Sequence, residues 1–175
     1  MLTFEEMLIR LGISVLLGWI IGFERELVGK SAGVRTDTLV AAGATLFTMA
    51  GIMIHWIIGN PPGQANYMQE VMSSTRGISI IAGIVTGIGF LGAGLIIKEK
   101  FKVRGVTTAA SIWFVAAVGM LVGLGLVKLA SVATIGVVAI LYGLRKLDLF
   151  SIIEKEKRRK EFIKREKEIE KKDEE

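Results

Sequence analysis

"TGIGFLGAGLIIKEK", residues Thr86 to Lys100, decides how the chain is read. Gly87, Gly89 and Gly92 have the spacing G-x-G-x-x-G of a dinucleotide-binding loop. Such a loop needs a strand before it, a helix opening at the last glycine and an acidic residue about 20 positions further on. Here the glycines lie inside an uncharged run from Gly77 to Ile97, closed by mixed charges from Lys98 to Arg104. About 20 apolar residues are what a helix needs to cross the roughly 30 Å hydrocarbon layer of a bilayer. The stretch predicts a membrane span in place of a phosphate cradle.

Working outward, the same pattern recurs along a chain of 175 residues that is 51% hydrophobic, with 21 glycines and no cysteine. Spans are expected near residues 7–23, 38–58, 78–97, 106–127 and 129–144. Between Val106 and Leu144 the only charge is Lys128, and no bilayer is thick enough for that run, so the chain must turn back at Gly123 and Gly125. The first segment has acidic residues before it, Glu5 and Glu6, and "GFERE" after it, so it is expected to remain as a helix and not to be cleaved as a signal peptide. The fold class expected is all-α, a polytopic five-helix membrane domain over residues 1–147. The loops with Arg25, Lys30 and Arg35 and with Lys98, Lys100, Lys102 and Arg104 fall on one side, against Arg10, Arg76 and Lys128 on the other. That bias places the N-terminus outside and the C-terminus in the cytoplasm. Residues 148–175 carry ten acidic and ten basic side chains, paired at helical spacing as in Glu154 with Arg158, and are expected to form a charged cytoplasmic helix. A nucleic-acid arm would be lopsided, so no nucleic-acid partner is expected.

On a helical wheel Ser79, Ala82, Thr86, Gly89 and Ala93 share one stripe of the third span, with Gly83, Gly87 and Gly94 beside it. Helices in lipid associate by close backbone approach, and small residues every three or four positions permit it. The third span is therefore expected at the packed centre of the bundle. The first span repeats the device with Ser14, Gly18 and Gly22, and the fourth with Ala109, Ala116, Gly119 and Gly123. Packing accounts for these glycines; a narrow gap where backbone carbonyls meet water or an ion is the alternative.

Ionisable residues within a membrane are expensive and mark a pathway or a partner. Glu24, Arg25, Glu26, Arg35 and Asp37 cluster at the expected inner boundary. If the first helix continues through "GFERE", Arg25 and Glu26 lie within about 60° of Gly22, on the packed side, and Glu24 points away. Asp37, between Thr36 and Thr38, stands where a helix N-cap is wanted. Arg35 serves either as a headgroup anchor or as a partner of Glu26. Glu26 and Asp37 are weak candidates for magnesium, because two carboxylates shared with two arginines favour mutual ion pairing over a cation trap. His55, the one histidine, has no cysteine or acid near it and reads as an interfacial residue, as do Trp19 and Trp56. No nucleophile stands with a base and no cofactor motif survives, so neither an enzyme nor a cofactor is expected.

"VRTDTLVAAGATLF" at Val34 and "VRGVTTAASIWF" at Val103 share V-R-x-x-T and suggest a parallel repeat of the two hairpins. Together with "GFERELVGK" and "GIGFLGAGLIIK", they resemble the signature segments of the MgtC/SapB family of bacterial inner-membrane proteins, in order from Gly22 to Met120. The resemblance carries over to Glu24, Arg25, Glu26, Arg35, Thr36, Asp37, Gly87, Gly89, Gly92, Gly94, Thr107 and Thr108. It implies a multi-pass inner-membrane protein, with members linked to magnesium homeostasis, acid and stress adaptation, and virulence through survival in host cells. It also implies a non-enzymatic role modulating other membrane machinery, the proton-driven ATP synthase included. Partners expected are the lipid bilayer, further copies of the chain and other membrane proteins. The alternative is an oligomeric transporter of magnesium, protons or a small solute; lipid binding through "KEKFKVR" is a third reading.

Overall fold

The computed structural model describes residues 2–59, 67–100 and 102–146, with side chains over 2–54, 78–100 and 102–146. Helices α1 (Phe4–Leu27), α2 (Val34–Gly59) and α3 (Tyr67–Leu95) are followed by a short hairpin, β1 (Ile97–Glu99) and β2 (Lys102–Arg104), and by α4 (Val106–Gly123). A fifth helix, α5, runs from Val127 to Lys146. Among the described residues five helices are thus long and apolar enough to cross a membrane, as expected. The chain divides into two compact units, Met1–Gly136 and Val137–Glu175; of the second, residues 137–146 are described and are helical. The expected charged helix over 148–175 lies outside the described residues, as do the side chains of His55, Trp56 and Arg76.

Local chemistry fixes the ends. Thr3 and Glu6 form a capping box at the start of α1, each side chain bonding the other's backbone N–H. The signal, Thr-x-x-Glu before an apolar run, was available in the sequence. α1 runs through "GFERE" to Leu27 and closes with Gly29 at φ +67°. The glycine turn expected after α4 is present, with Gly125 at φ +86°.

The hairpin between α3 and α4 was not expected. It pairs Ile97 with Arg104, Lys98 with Val103 and Glu99 with Lys102, all exposed. At its base Gly105 has φ +87° and lies so close to the Leu95 carbonyl that a Cβ has no room, so the end of α3 and the start of α4 are held together there. This connection differs from the tight α1–α2 loop, so the proposed repeat does not extend to the loops.

The packing is built on small residues, though not where the third span's stripe implied. A Cβ on Gly18 would lie 2.8 Å from the Ala41 Cβ and from the Asp37 carbonyl oxygen, and one on Gly22 would lie 2.6 Å from the Val34 Cα. α1 and α2 are therefore antiparallel and in backbone contact. A Cβ on Gly119 would meet the Ala41 carbonyl, and one on Gly123 would lie 2.7 Å from the Thr48 Cβ, so α2 and α4 are parallel and equally close. Thr45, fully buried, stands 2.9 Å from the Ala41 carbonyl and 2.8 Å from the Gly119 carbonyl; its single hydroxyl proton is shared between a bond within α2 and one across to α4. Ser14 and Thr48 turn their hydroxyls back to the carbonyls of Leu11 and Ala44.

Half of the fourth span is buried, against 6% of the third. The expectation that α3 is the packed centre is therefore corrected: that place belongs to α2 and α4. Among the described residues, Gly83, Gly87, Gly89 and Gly94 have nothing within 4 Å of the position a Cβ would take. A Cβ on Gly92 would make ordinary contact with Ala109, at 3.5 Å. Leucine and glycine faces are equally compatible with lipid tails, so the stripe does not declare whether its partner is in the same chain.

Candidate functional site

Four helix ends gather at the basic end of the first unit: the C-termini of α1 and α3 and the N-termini of α2 and α4. Their relative depths follow from the contacts. Gly119, touching Ala41, is thirteen residues into α4, whereas Ala41 is seven residues into α2. At 1.5 Å per residue α2 starts about 9 Å inside the level at which α4 starts. Gly22 touches Val34 five residues before α1 ends, which recesses α2 by about 7 Å relative to α1. Asp37, four residues before Ala41, is consequently level with Val115, close to the middle of α4. The cluster expected at the membrane boundary thus reaches toward half-depth.

Asp37 is fully buried at that depth, and Arg25, 2% exposed, is buried nearer the end of α1, beyond the level at which Gly22 touches Val34. Side chains on a helix lean toward its N-terminus, so on antiparallel α1 and α2 these two lean toward each other. Yet they do not pair directly: among the described residues the ion pair present is Arg104–Glu99, exposed, at 3.9 Å. Arg25 Nε and Nη2 and both Asp37 carboxylate oxygens are buried without a hydrogen-bond partner, as are Glu24 Oε2 and Thr38 Oγ1. Direct mutual ion pairing of this cluster is therefore corrected, and Glu24, expected to point away, has one carboxylate oxygen covered.

Asp37 is also not the N-cap. α2 begins three residues earlier, at Val34, and the Asp37 N–H already donates to the Gly33 carbonyl at 3.0 Å. The capping role falls to Glu26, whose Oε2 accepts from the Val34 N–H at 3.1 Å. Glu26 is therefore engaged with the helix start, not with Arg35, although it lines a polar recess of about 290 Å³ together with Lys30, Ser31, Gly33, Arg35 and Thr36. No group of three or more His, Cys, Asp or Glu side chains able to hold a metal occurs among the described residues. Of the two threonines at the start of α4, Thr108 is buried and Thr107 exposed.

Two features escaped the sequence reading. Arg10, weighed only as a topology marker, donates from Nη1 to the Gly123 carbonyl at 2.7 Å and so ties α1 to the C-terminus of α4. An open apolar groove of about 770 Å³ separates α2 from α3, lined by Leu39, Gly43, Phe47, Gly83, Gly87 and Leu91 among others.

The order of segments, the recessed "VRTD" helix start and the glycine-rich third span can be set beside known proteins. A model of the MgtC family matches residues 11–150. The chain belongs to the MgtC family. Among its relatives, Protein MgtC of Brucella abortus is 46% identical over 132 residues, 75% of this chain and 48% of the relative. Protein MgtC of Salmonella typhimurium is 42% identical over 122 residues, covering 70% and 45%, and Protein SrpB of Synechococcus elongatus 37% over 147 residues, covering 79% and 74%. The chain spans about half the length of the MgtC relatives it matches. No solved structure matches it. Arg25, Asp37 and the Gly18, Gly22, Gly119 and Gly123 seams all fall within the region matched to the MgtC family.

Proposed function

We propose that this MgtC-family membrane protein is a non-enzymatic modulator of other inner-membrane machinery, acting in magnesium homeostasis or acid and stress adaptation, with its N-terminus outside and its C-terminus in the cytoplasm. One observation carries the reading: Gly83, Gly87, Gly89 and Gly94 have, among the described residues, nothing within 4 Å of where a Cβ would lie, and Gly83 and Gly87 border the open apolar groove. Such a face is suited to close approach by another transmembrane helix. The machinery put forward is a proton-driven rotary ATPase. Proton pumping by membrane vesicles, driven by ATP, is expected to change when the protein is present. The change should vanish with Gly83→Leu or Gly87→Leu while the fold persists. Identical pumping with and without the protein refutes the reading, as does crosslinking of Gly87→Cys that recovers only further copies of the chain.

A second reading, transport, is favoured by the buried Arg25 and Asp37. Proteoliposomes decide it: flux of magnesium or protons that is lost with Asp37→Asn supports transport, and no flux removes it.

A further inference from the structure

Arg25 and Asp37 raise a question that neither functional reading answers. Both side chains are more than nine-tenths buried, they carry opposite charges, and the Nε and Nη2 atoms of one and both oxygens of the other have no partner. In a medium of low dielectric, two such groups left dry and apart incur the desolvation of both charges without the attraction that offsets it. A small group that reaches both would relieve that cost. An anion is repelled by Asp37 and a cation by Arg25, so a charged ligand is disfavoured from one side or the other. The guanidinium can only donate hydrogen bonds and the carboxylate can only accept them. The occupant has to be neutral, small, and at once an acceptor and a donor.

We propose that Arg25 and Asp37 form a buried water-binding site, a water-separated ion pair within the helix bundle. Water accepts from the guanidinium and donates to the carboxylate, and a bridged contact of this kind is nearly as favourable in enthalpy as a direct one. The Thr38 hydroxyl and Glu24 Oε2 are also buried without partners. The recessed start of α2 gives water its approach, because the polar recess reaches Gly33 and Thr36, within one turn of Asp37. The site is independent of what docks on α3 and exists whether or not the chain transports anything.

The test is magic-angle-spinning NMR on the full chain in lipid bilayers, reading magnetisation transferred from water protons to Asp37 Cγ and to Arg25 Nε and Nη. Transfer to both groups is expected to exceed by several times the transfer to Val115, which is level with Asp37 and fully buried. Transfer no greater than that of Val115 overturns the site, as does a direct carboxylate–guanidinium contact without water transfer. In a second arm, Asp37→Asn keeps a donor and an acceptor and should retain the Arg25 water signal, whereas Asp37→Leu should lose it. An Arg25 signal unchanged in Asp37→Leu overturns the bridge. Should the leucine variant fail to fold, the wild-type spectrum decides alone.

Discussion

Gly22→Ala is the sharpest perturbation of the packing. The added Cβ would lie 2.6 Å from the Val34 Cα, 2.9 Å from the Val34 nitrogen and 3.0 Å from the Gly33 carbonyl carbon. All three are backbone atoms, so no rotamer change relieves them. Ordinary carbon contacts are about 3.5–4.0 Å, so α1 and α2 must part by about 1 Å, which forfeits up to half of each dispersion contact along the seam. Overpacking of this kind costs about 1–3 kcal/mol. The same displacement strains the Val34 N–H bond to Glu26, worth about 1 kcal/mol more. Against this, alanine favours a helix over glycine by about 1 kcal/mol. The net expectation is a loss of about 1–3 kcal/mol. Gly87→Ala meets nothing within 4 Å and keeps the propensity gain, so it should be neutral or stabilising by up to about 1 kcal/mol. Unfolding by titration of a denaturing detergent, followed by tryptophan fluorescence, measures both. Equal stabilities for the two variants, or a more stable Gly22→Ala, would refute the reasoning that α1 and α2 touch through their backbones.

Other substitutions test other contacts. Thr45→Val keeps the shape and removes the proton shared between the Ala41 and Gly119 carbonyls; a loss of about 0.5–1.5 kcal/mol is expected in the same unfolding assay, and none would mean the α2–α4 bond is idle. Arg10→Ala removes a charged donor from the end of α4 and should cost about 1–2 kcal/mol, with Arg10→Lys restoring part of it. Glu26→Ala should cost about 1 kcal/mol as a lost helix cap while Glu26→Gln, still an acceptor for Val34, costs less; equal losses would point to charge and away from capping. Glu99→Gln breaks only the exposed 3.9 Å pair with Arg104 and should leave stability within about 0.5 kcal/mol of the parent.

Much of the fold could be read before any coordinates. Apolar length alone identifies five spans, and Gly123 and Gly125 mark the return between α4 and α5, because a bilayer sets a length scale that composition must meet. Ser14, Gly18 and Gly22 were read as a packing face and are one: all three are buried. The same rule applied to Gly83, Gly87, Gly89 and Gly94 misplaced the centre. Periodicity reports which residues share a face, not what the face meets, and lipid supplies no polarity contrast to separate an inner face from an outer one. Arg25 was legible from its angle to Gly22. The depth of Asp37 was not, since it depends on the offset between α2 and α4, which is fixed by contacts far apart in sequence, such as Ala41 with Gly119. The hairpin over Ile97–Glu99 and Lys102–Arg104 was hidden by its charges, which read as a plain loop.

The offset of α2 also explains why polar chemistry collects where it does. α1 and α4 flank a helix whose start is recessed by about 7–9 Å, so the first turn of α2 is flanked by the last turns of α1 and the first turns of α4. A helix start carries unsatisfied N–H groups wherever it lies, and in a low-dielectric setting each must find an acceptor. Glu26 reaches across the loop to meet one of them, and Gly33 makes room for it, since a Cβ there would lie 2.9 Å from the Glu26 carboxylate. Arg25, one residue earlier, is thereby turned inward toward Asp37. The glycines at 18 and 22 are the condition for this arrangement, because backbone contact between α1 and α2 is what covers Arg25 and Asp37. α3, whose stripe is open, takes no part in it. The packing that buries the charged pair and the face offered to a partner are thus carried by different helices, and either can be altered by a single glycine substitution without directly disturbing the other.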